Sequence, residues 1–154
     1  MAKYWLVKSE ETCYSIDDLA RDGKTMWDGV RNYQARNYMR DMKLGDRVLF
    51  YHSNSPLTGV VGVAEVCREA YADHTALDPQ NDHFDPKASA DNPLWMMVDI
   101  AFVEKFPRPI SLQEIKESTE LSGIVVAQRG SRLSVQPVGE EHFQTMRRLG
   151  GLGA

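Results

Sequence analysis

Apolar residues in this chain come in short runs closed by turn signals, with no repeated strand-helix-strand rhythm that would build a large parallel sheet. Five such runs read as strands because β-branched and aromatic residues dominate them: Tyr4 to Lys8, Arg47 to His52, Thr58 to Val66, Trp95 to Phe106, and Leu133 to Val138. Gly59 and Gly62 in the third suggest a bend or bulge, and Pro107 and Pro109 are expected to end the fourth. Short helices fall between them. Ser15 is followed by acids at 17 and 18 and a Gly23 stop. The segment from Asn32 to Met42 has apolar residues at 35, 38, 39 and 42, leaving its arginines outside. Ser111 to Lys116 opens with a Ser/Glu capping box, and Glu140 to Leu149 forms a last helix. Asp28-Gly29 and Lys43 to Asp46 read as turns, residues 121–127 are apolar without a clear period, and residues 72–93 read as a solvated acidic loop punctuated by Pro79, Pro86 and Pro93. Five or six strands with three to five short helices predict an α+β chain closing as a small, strongly curved mixed sheet or barrel.

The 154 residues, 42% of them hydrophobic, suit one domain over 1–154. The first apolar run, Tyr4 to Val7, is bracketed by lysines and far too short for a signal or membrane segment, so a cytosolic or nuclear protein is expected: nucleoid-associated if bacterial, nuclear if eukaryotic. Cys13 and Cys67 have no CxxC spacing, which argues against a disulfide framework or zinc knuckle; both are expected to be buried thiols. His52, His74, His83 and His142 show no metal-ligand spacing, and Asp78, Asp82 and Asp85 lack the glycine and terminal glutamate of a calcium loop, so no metal or other cofactor is expected. No nucleophile motif or phosphate loop stands out, which lowers enzymatic readings.

The net charge of −4 argues at first against a polyanionic partner. The negative excess, however, lies within residues 63–122, while residues 29–47 gather Arg31, Arg36, Arg40, Lys43 and Arg47 against two aspartates, leaving room for a local basic face. Candidate binding groups stand at strand ends. Trp27, directly before the Asp-Gly turn, is either core packing or a flat wall on which a base can stack. Lys8 and Ser9 end the first strand, where they address a base edge or simply make a turn. Asn32 can face a base with a carbonyl and an amide together, or cap the helix beginning at Tyr33. His52 and Ser53, with Asn54, place polar groups at one mouth of the sheet, and Arg31, Arg129 and Arg132 are candidates for backbone phosphates.

Four stretches taken together closely resemble the EVE domain: Tyr4-Trp5-Leu6-Val7-Lys8-Ser9-Glu10; Trp27 through Asn37; Gly45 through Ser53; and Arg132 through Val138. The resemblance spans about residues 3 to 149, with Glu11 standing where the family usually has proline. It implies a PUA-like fold, a small barrel of five to six strands flanked by short helices and related to YTH and ASCH domains. It also implies one concave pocket that binds a modified base in nucleic acid without established chemistry. Resemblance to YTH readers extends to Lys8, Ser9 and Trp27, while Ile100 stands where those domains place a second cage tryptophan. The expected function is therefore non-enzymatic capture of one modified base, a modified cytosine in DNA ahead of modified RNA. Trp27 would stack on it; Lys8, Ser9, Asn32, His52 and Ser53 would address its edge; and Arg31, Arg129 and Arg132 would hold phosphates. The alternative is a sensor of a free nucleoside or other small-molecule ligand in the same pocket.

Overall fold

The computed structural model describes residues 3–53, 58–128 and 133–152. In chain order the elements are β1 (Tyr4–Glu10), α1 (Ile16–Asp22), β2 (Lys24–Trp27), α2 (Tyr33–Asp41), β3 (Arg47–Ser53), β4 (Gly59–Ala72), β5 (Met96–Ser111), α3 (Leu112–Glu117), β6 (Val135–Val138) and α4 (Glu140–Leu149), with short 3-10 turns at His74–Leu77, Thr119–Leu121 and Val125–Ala127. The strands form one mixed sheet in the order β2-β5-β4-β3-β1-β6. Among the described residues only β1 and β3 run parallel, and every other pairing is antiparallel. The expected α+β class is met, but β2 and β6 stay as unpaired edges, so the sheet curves without closing into a hydrogen-bonded barrel. Helix α2 packs across one face, against β4, β5 and β6.

Both faces of the sheet are covered, and this explains why β1 and β3 are continuously apolar rather than alternating. One face buries Trp5, Val7 and Phe50 against Leu19 of α1 and Ala35 and Met39 of α2. The other buries Leu6, Leu49 and Tyr51 against Ile115, Phe143 and Met146 from the α3 and α4 side. Local signals set the helix starts. Ser15 Oγ accepts from the Asp18 N–H while the Asp18 carboxylate accepts from the Ser15 N–H, a reciprocal capping box. Ser111 Oγ caps α3 by accepting from Glu114 N.

Three expectations change here. β2 is a strand that the sequence reading ran into a turn, because its four residues alternate exposed and half-buried without a fully buried one. β5 does not stop at Pro107: it continues to Ser111 because residues 106–109 fall in an irregularity between the Gly62↔Lys105 and Val60↔Ile110 pairs, where a missing proline N–H breaks no ladder bond. The neighbouring Arg108 N–H donates instead to Gly150 O at 3.0 Å, tying this bulge to the end of α4. Cys13 and Cys67 are exposed rather than buried. Cys13 stands in the β1–α1 turn, and Cys67 in the part of β4 that runs beyond the buried core.

Candidate functional site

β1 ends beside the point where β2 runs into the 28–31 segment, and a cavity of about 550 Å³ opens there, within the usual range for small-ligand sites. Lys8 and Ser9 contribute from β1, Tyr14 from the turn before α1, Trp27 to Arg31 from the end of β2 onward, and His83 from the long β4–β5 connection. The half-buried Trp27 is held against Phe50 in an edge contact, ring centres 5.5 Å apart at 81°, while the indole also lines the cavity. Ser9 Oγ donates to Tyr14 O at 2.7 Å and so fixes the wall where strand turns into helix. Lys8 borders the cavity, with its Nζ lying 5.5 Å from the centre of the Tyr51 ring, and burial pulls its ammonium below the ordinary lysine value. The Asp28 carboxylate, also lining the cavity, has no hydrogen-bond partner among the described residues.

The opposite wall is built around one buried carboxylate. Asp73, fully buried, accepts from Gly29 N (2.8 Å), Arg31 Nη1 (3.0 Å), Thr75 N (2.9 Å) and Thr75 Oγ1 (2.5 Å). Burial alone pushes this carboxyl up, but the hydrogen bonds from Thr75, Gly29 and Arg31 outweigh it and hold it below its ordinary value. Gly29 has φ +78°, and a Cβ there would lie 2.7 Å from the His83 ring, so only glycine admits both this turn and this neighbour. The 72–93 connection is largely exposed, as its acids suggest, but it is also internally ordered. Asp78, Asn81 and Asp85 each accept from the backbone N–H two residues on, and Asp85 also accepts from Trp95 Nε1 at 2.7 Å.

Several expected site residues are spent elsewhere. Arg31 lines the cavity, but its guanidinium donates to His83 O, Val30 O, Asp73 and Thr75, so each of its N–H groups already has an acceptor and it acts as a strut rather than a phosphate grip. Asn32 is exposed and caps α2, its Oδ1 accepting from Ala35 N at 2.9 Å. His52 is buried away from the cavity, and its Nε2 accepts from Ile16 N, the first residue of α1, at 3.1 Å. Ser53 pairs opposite Glu10 at the end of β3 and does not line the cavity. Of the expected set, the structure brings Lys8, Ser9, Trp27 and Arg31 to one cavity, the last as a strut; Arg129, Arg132 and Asn54 lie outside the described residues. Sequence reading missed Asp28, hidden inside a turn signature, and His83, which no spacing or pattern singled out.

His52 also gives a pH prediction. Accepting from a backbone N–H requires the neutral ring, and burial lowers its pKa below the usual 6.5, against the opposing pull of Glu11 and Asp17. The unfolded chain then binds a proton that the folded chain resists, so stability is fully present above pH 6.5 and declines as pH falls toward the folded value. Urea midpoints at pH 7.5 and 5.5 should show this decline in the wild type and a flatter response in His52→Gln, whose amide oxygen can still accept from Ile16 without titrating. An equal decline in both proteins would contradict the assignment.

A second depression, about 590 Å³, lies at the start of β1 among Lys3, Tyr4, Trp5, Tyr38 and Pro137. Its indole N–H is already spent on Asp46 Oδ2 at 2.9 Å, whereas the Trp27 cavity gathers an aromatic wall, an ammonium and a carboxylate with no partner among the described residues. No group of three or more His, Cys, Asp or Glu able to hold a metal occurs among the described residues, and none of their helices is long and apolar enough to cross a membrane.

A two-faced, curved mixed sheet with an aromatic-walled cavity beside the ends of β1 and β2 defines a PUA-like domain. The chain belongs to the EVE domain family, whose model matches residues 3–149. Human thymocyte nuclear protein 1 is 42% identical over 162 residues, covering 93% of this chain and 72% of that protein. A solved protein from Pseudomonas putida superposes with a TM-score of 0.93 at 48% identity, covering 96% of this chain and 99% of the other. The human THYN1 protein, solved in complex with DNA containing 5-methylcytosine, superposes with a TM-score of 0.90 at 40% identity, covering 99% of this chain and all of that one. An ASCH protein from Zymomonas mobilis, 13% identical with a TM-score of 0.54 and 96% coverage of each chain, shares the fold.

Proposed function

We propose that this chain binds a modified cytosine of DNA, turned out of the duplex into the Trp27 cavity, and performs no chemistry on it. The observation that carries this reading is the full-length similarity to a human relative solved with 5-methylcytosine DNA, joined to a cavity with an aromatic wall in this chain. Stacking on Trp27 would repay part of the flipping cost, a few kcal/mol. Cytosine and thymine differ at position 4, where cytosine carries an amino donor, and the cavity-lining Asp28 carboxylate is the group suited to accept from it. Lys8 and Ser9 stand at the neighbouring wall for the remaining polar edge.

The test compares duplexes that differ only in cytosine modification, at two salt concentrations. Trp27→Ala should weaken binding of the modified duplex by about 1–3 kcal/mol, on the order of tenfold or more, while Trp27→Phe retains much of it. Equal, feeble binding of every duplex would overturn the reading and redirect it to modified RNA or a free nucleoside, each measurable with the same proteins. A melting curve of Trp27→Ala separates lost stacking from lost packing on Phe50.

A further inference from the structure

Four large apolar side chains are conspicuously exposed among the described residues: Met26 (47%), Tyr33 (55%), Leu44 (62%) and Phe84 (39%). One of them lines the Trp27 cavity, and two are linked to residues that do. Met26 lines the Trp27 cavity, Phe84 follows the cavity-lining His83, and Tyr33 stacks on Trp95, which lies under the guanidinium of the cavity-lining Arg31. Apolar surface next to a binding cavity is where a contact surface is expected, and Tyr33 is the best supported of the three.

Tyr33 has a built support. The rings of Tyr33 and Trp95 are 4.8 Å apart at 25°, and Trp95, only 5% exposed, is anchored through its indole N–H to Asp85. Arg36 lies with its Cζ 4.8 Å from the Tyr33 ring centre and 5.9 Å from that of Trp95. Its side chain is steadied by Leu94 O at 2.8 Å and by Asn37 Oδ1, yet not all of its N–H donors are used. Leu94, which offers that carbonyl, is the one non-glycine residue with positive φ, +61°, among the described residues. A backbone held in this costly region is maintained where the surroundings over-determine it. The result is a rigid aromatic face, more than half exposed, beside a cation with donors to spare.

We propose that Tyr33, backed by Trp95 and flanked by Arg36, is a second stacking site that receives the nucleobase next to the one in the Trp27 cavity. Arg31 links the two, lining the cavity and lying 5.6 Å from the centre of the Trp95 ring. A strand delivering one base into the cavity passes over this rim, and a flat ring beside an arginine suits both parts of a nucleotide: the base stacks, and the guanidinium meets the phosphate. Because its own donors are spent, Arg31 cannot supply that phosphate contact, whereas Arg36 can. This inference rests on the nucleic-acid reading above and assigns the site beside the cavity rather than the cavity itself.

The experiment measures binding of the intact chain to a modified duplex, to the same duplex with the neighbouring base removed to leave an abasic sugar, and to unmodified single-stranded DNA. Tyr33→Ala removes a half-exposed ring and its contacts with Trp95 and Arg36, so binding is measured well below the midpoint of its melting curve. It should weaken binding of the intact modified duplex by roughly tenfold. The abasic substitution should weaken wild type by a similar factor and leave Tyr33→Ala unchanged, and Tyr33→Phe should bind as wild type does. Equal affinity of Tyr33→Ala and wild type for the duplex overturns the proposal. So does a Tyr33→Ala protein that still loses affinity when the neighbouring base is removed. If wild type ignores modification, the modified-cytosine reading fails separately, and the stacking site stands only if Tyr33→Ala still weakens binding to single-stranded DNA.

Discussion

Asp73→Ala should destabilise the chain by about 3–5 kcal/mol, the scale on which removing one partner of a buried ion pair is felt. The magnitude follows from what the carboxylate satisfies. It accepts from Arg31, from the N–H groups of Gly29 and Thr75 and from the Thr75 hydroxyl, and no exposed part of it can be replaced by water without rearrangement. For a chain of 154 residues the loss corresponds to a fall in Tm on the order of 10 °C. Urea denaturation would measure it, and a change below about 1 kcal/mol would contradict the strut role. The contribution also has a pH signature. Since the folded carboxyl is held below its ordinary 3.8, its stabilisation is complete above that value and is lost as pH falls through the folded one. Beyond stability, releasing Gly29 frees the turn that carries Trp27 and Asp28, so binding should fall even in the fraction of Asp73→Ala that remains folded.

Gly59→Ala should be the more damaging of the two glycine-to-alanine changes in the sheet, the other being at Gly62. Its Cβ would lie 2.0 Å from Ile110 O, 2.7 Å from Ser111 Cα and 2.8 Å from Ile110 C, all backbone atoms of β5 that cannot swing aside as a side-chain tip can. Overpacking ordinarily costs about 1–3 kcal/mol, and a backbone clash between two paired strands should reach or exceed the upper end. Gly59 pairs with His52 on one side and Ser111 on the other, so the disturbance enters where β4 is gripped by both neighbours. Amide exchange gives a local readout. The Leu112 N–H, which donates to Thr58 O at 2.9 Å, should lose protection beyond the global loss of stability. Unchanged protection together with an unchanged Tm would refute the account.

How much of this was legible beforehand depended on whether a residue's partner was near it in the chain. The α1 start could be read because Ser15 and Asp18 satisfy each other locally. For Trp27 the residues alone left core and wall both open, the resemblance favoured the wall, and the ring in fact does both, packing on Phe50 and lining the cavity. Asn32 carried two readings of equal local sense, and a backbone amide three residues on takes its oxygen. Arg31 and His52 misled because their partners are distant: Asp73 and the His83 carbonyl for the first, and the Ile16 amide for the second. Polar residue type announces hydrogen-bonding capacity, not where it is used. The acids of residues 72–93 illustrate the same limit, since Asp78 and Asp85 shape turns and anchor Trp95 rather than merely facing water. β2 escaped notice because an edge strand of four residues has too few buried positions to leave a periodic trace.

The open ends of the sheet carry a consequence for the protein at high concentration. An unpaired strand edge is a template on which another chain can hydrogen-bond, the first step toward domain swapping or fibrillar stacking. Here one terminal strand, β6, spans four residues and contains Pro137, which has no N–H to offer an incoming strand. The other, β2, is equally short and begins with the exposed Lys24, whose charge would have to be brought into any intermolecular ladder. The open sheet thus gives a neighbouring copy little to extend.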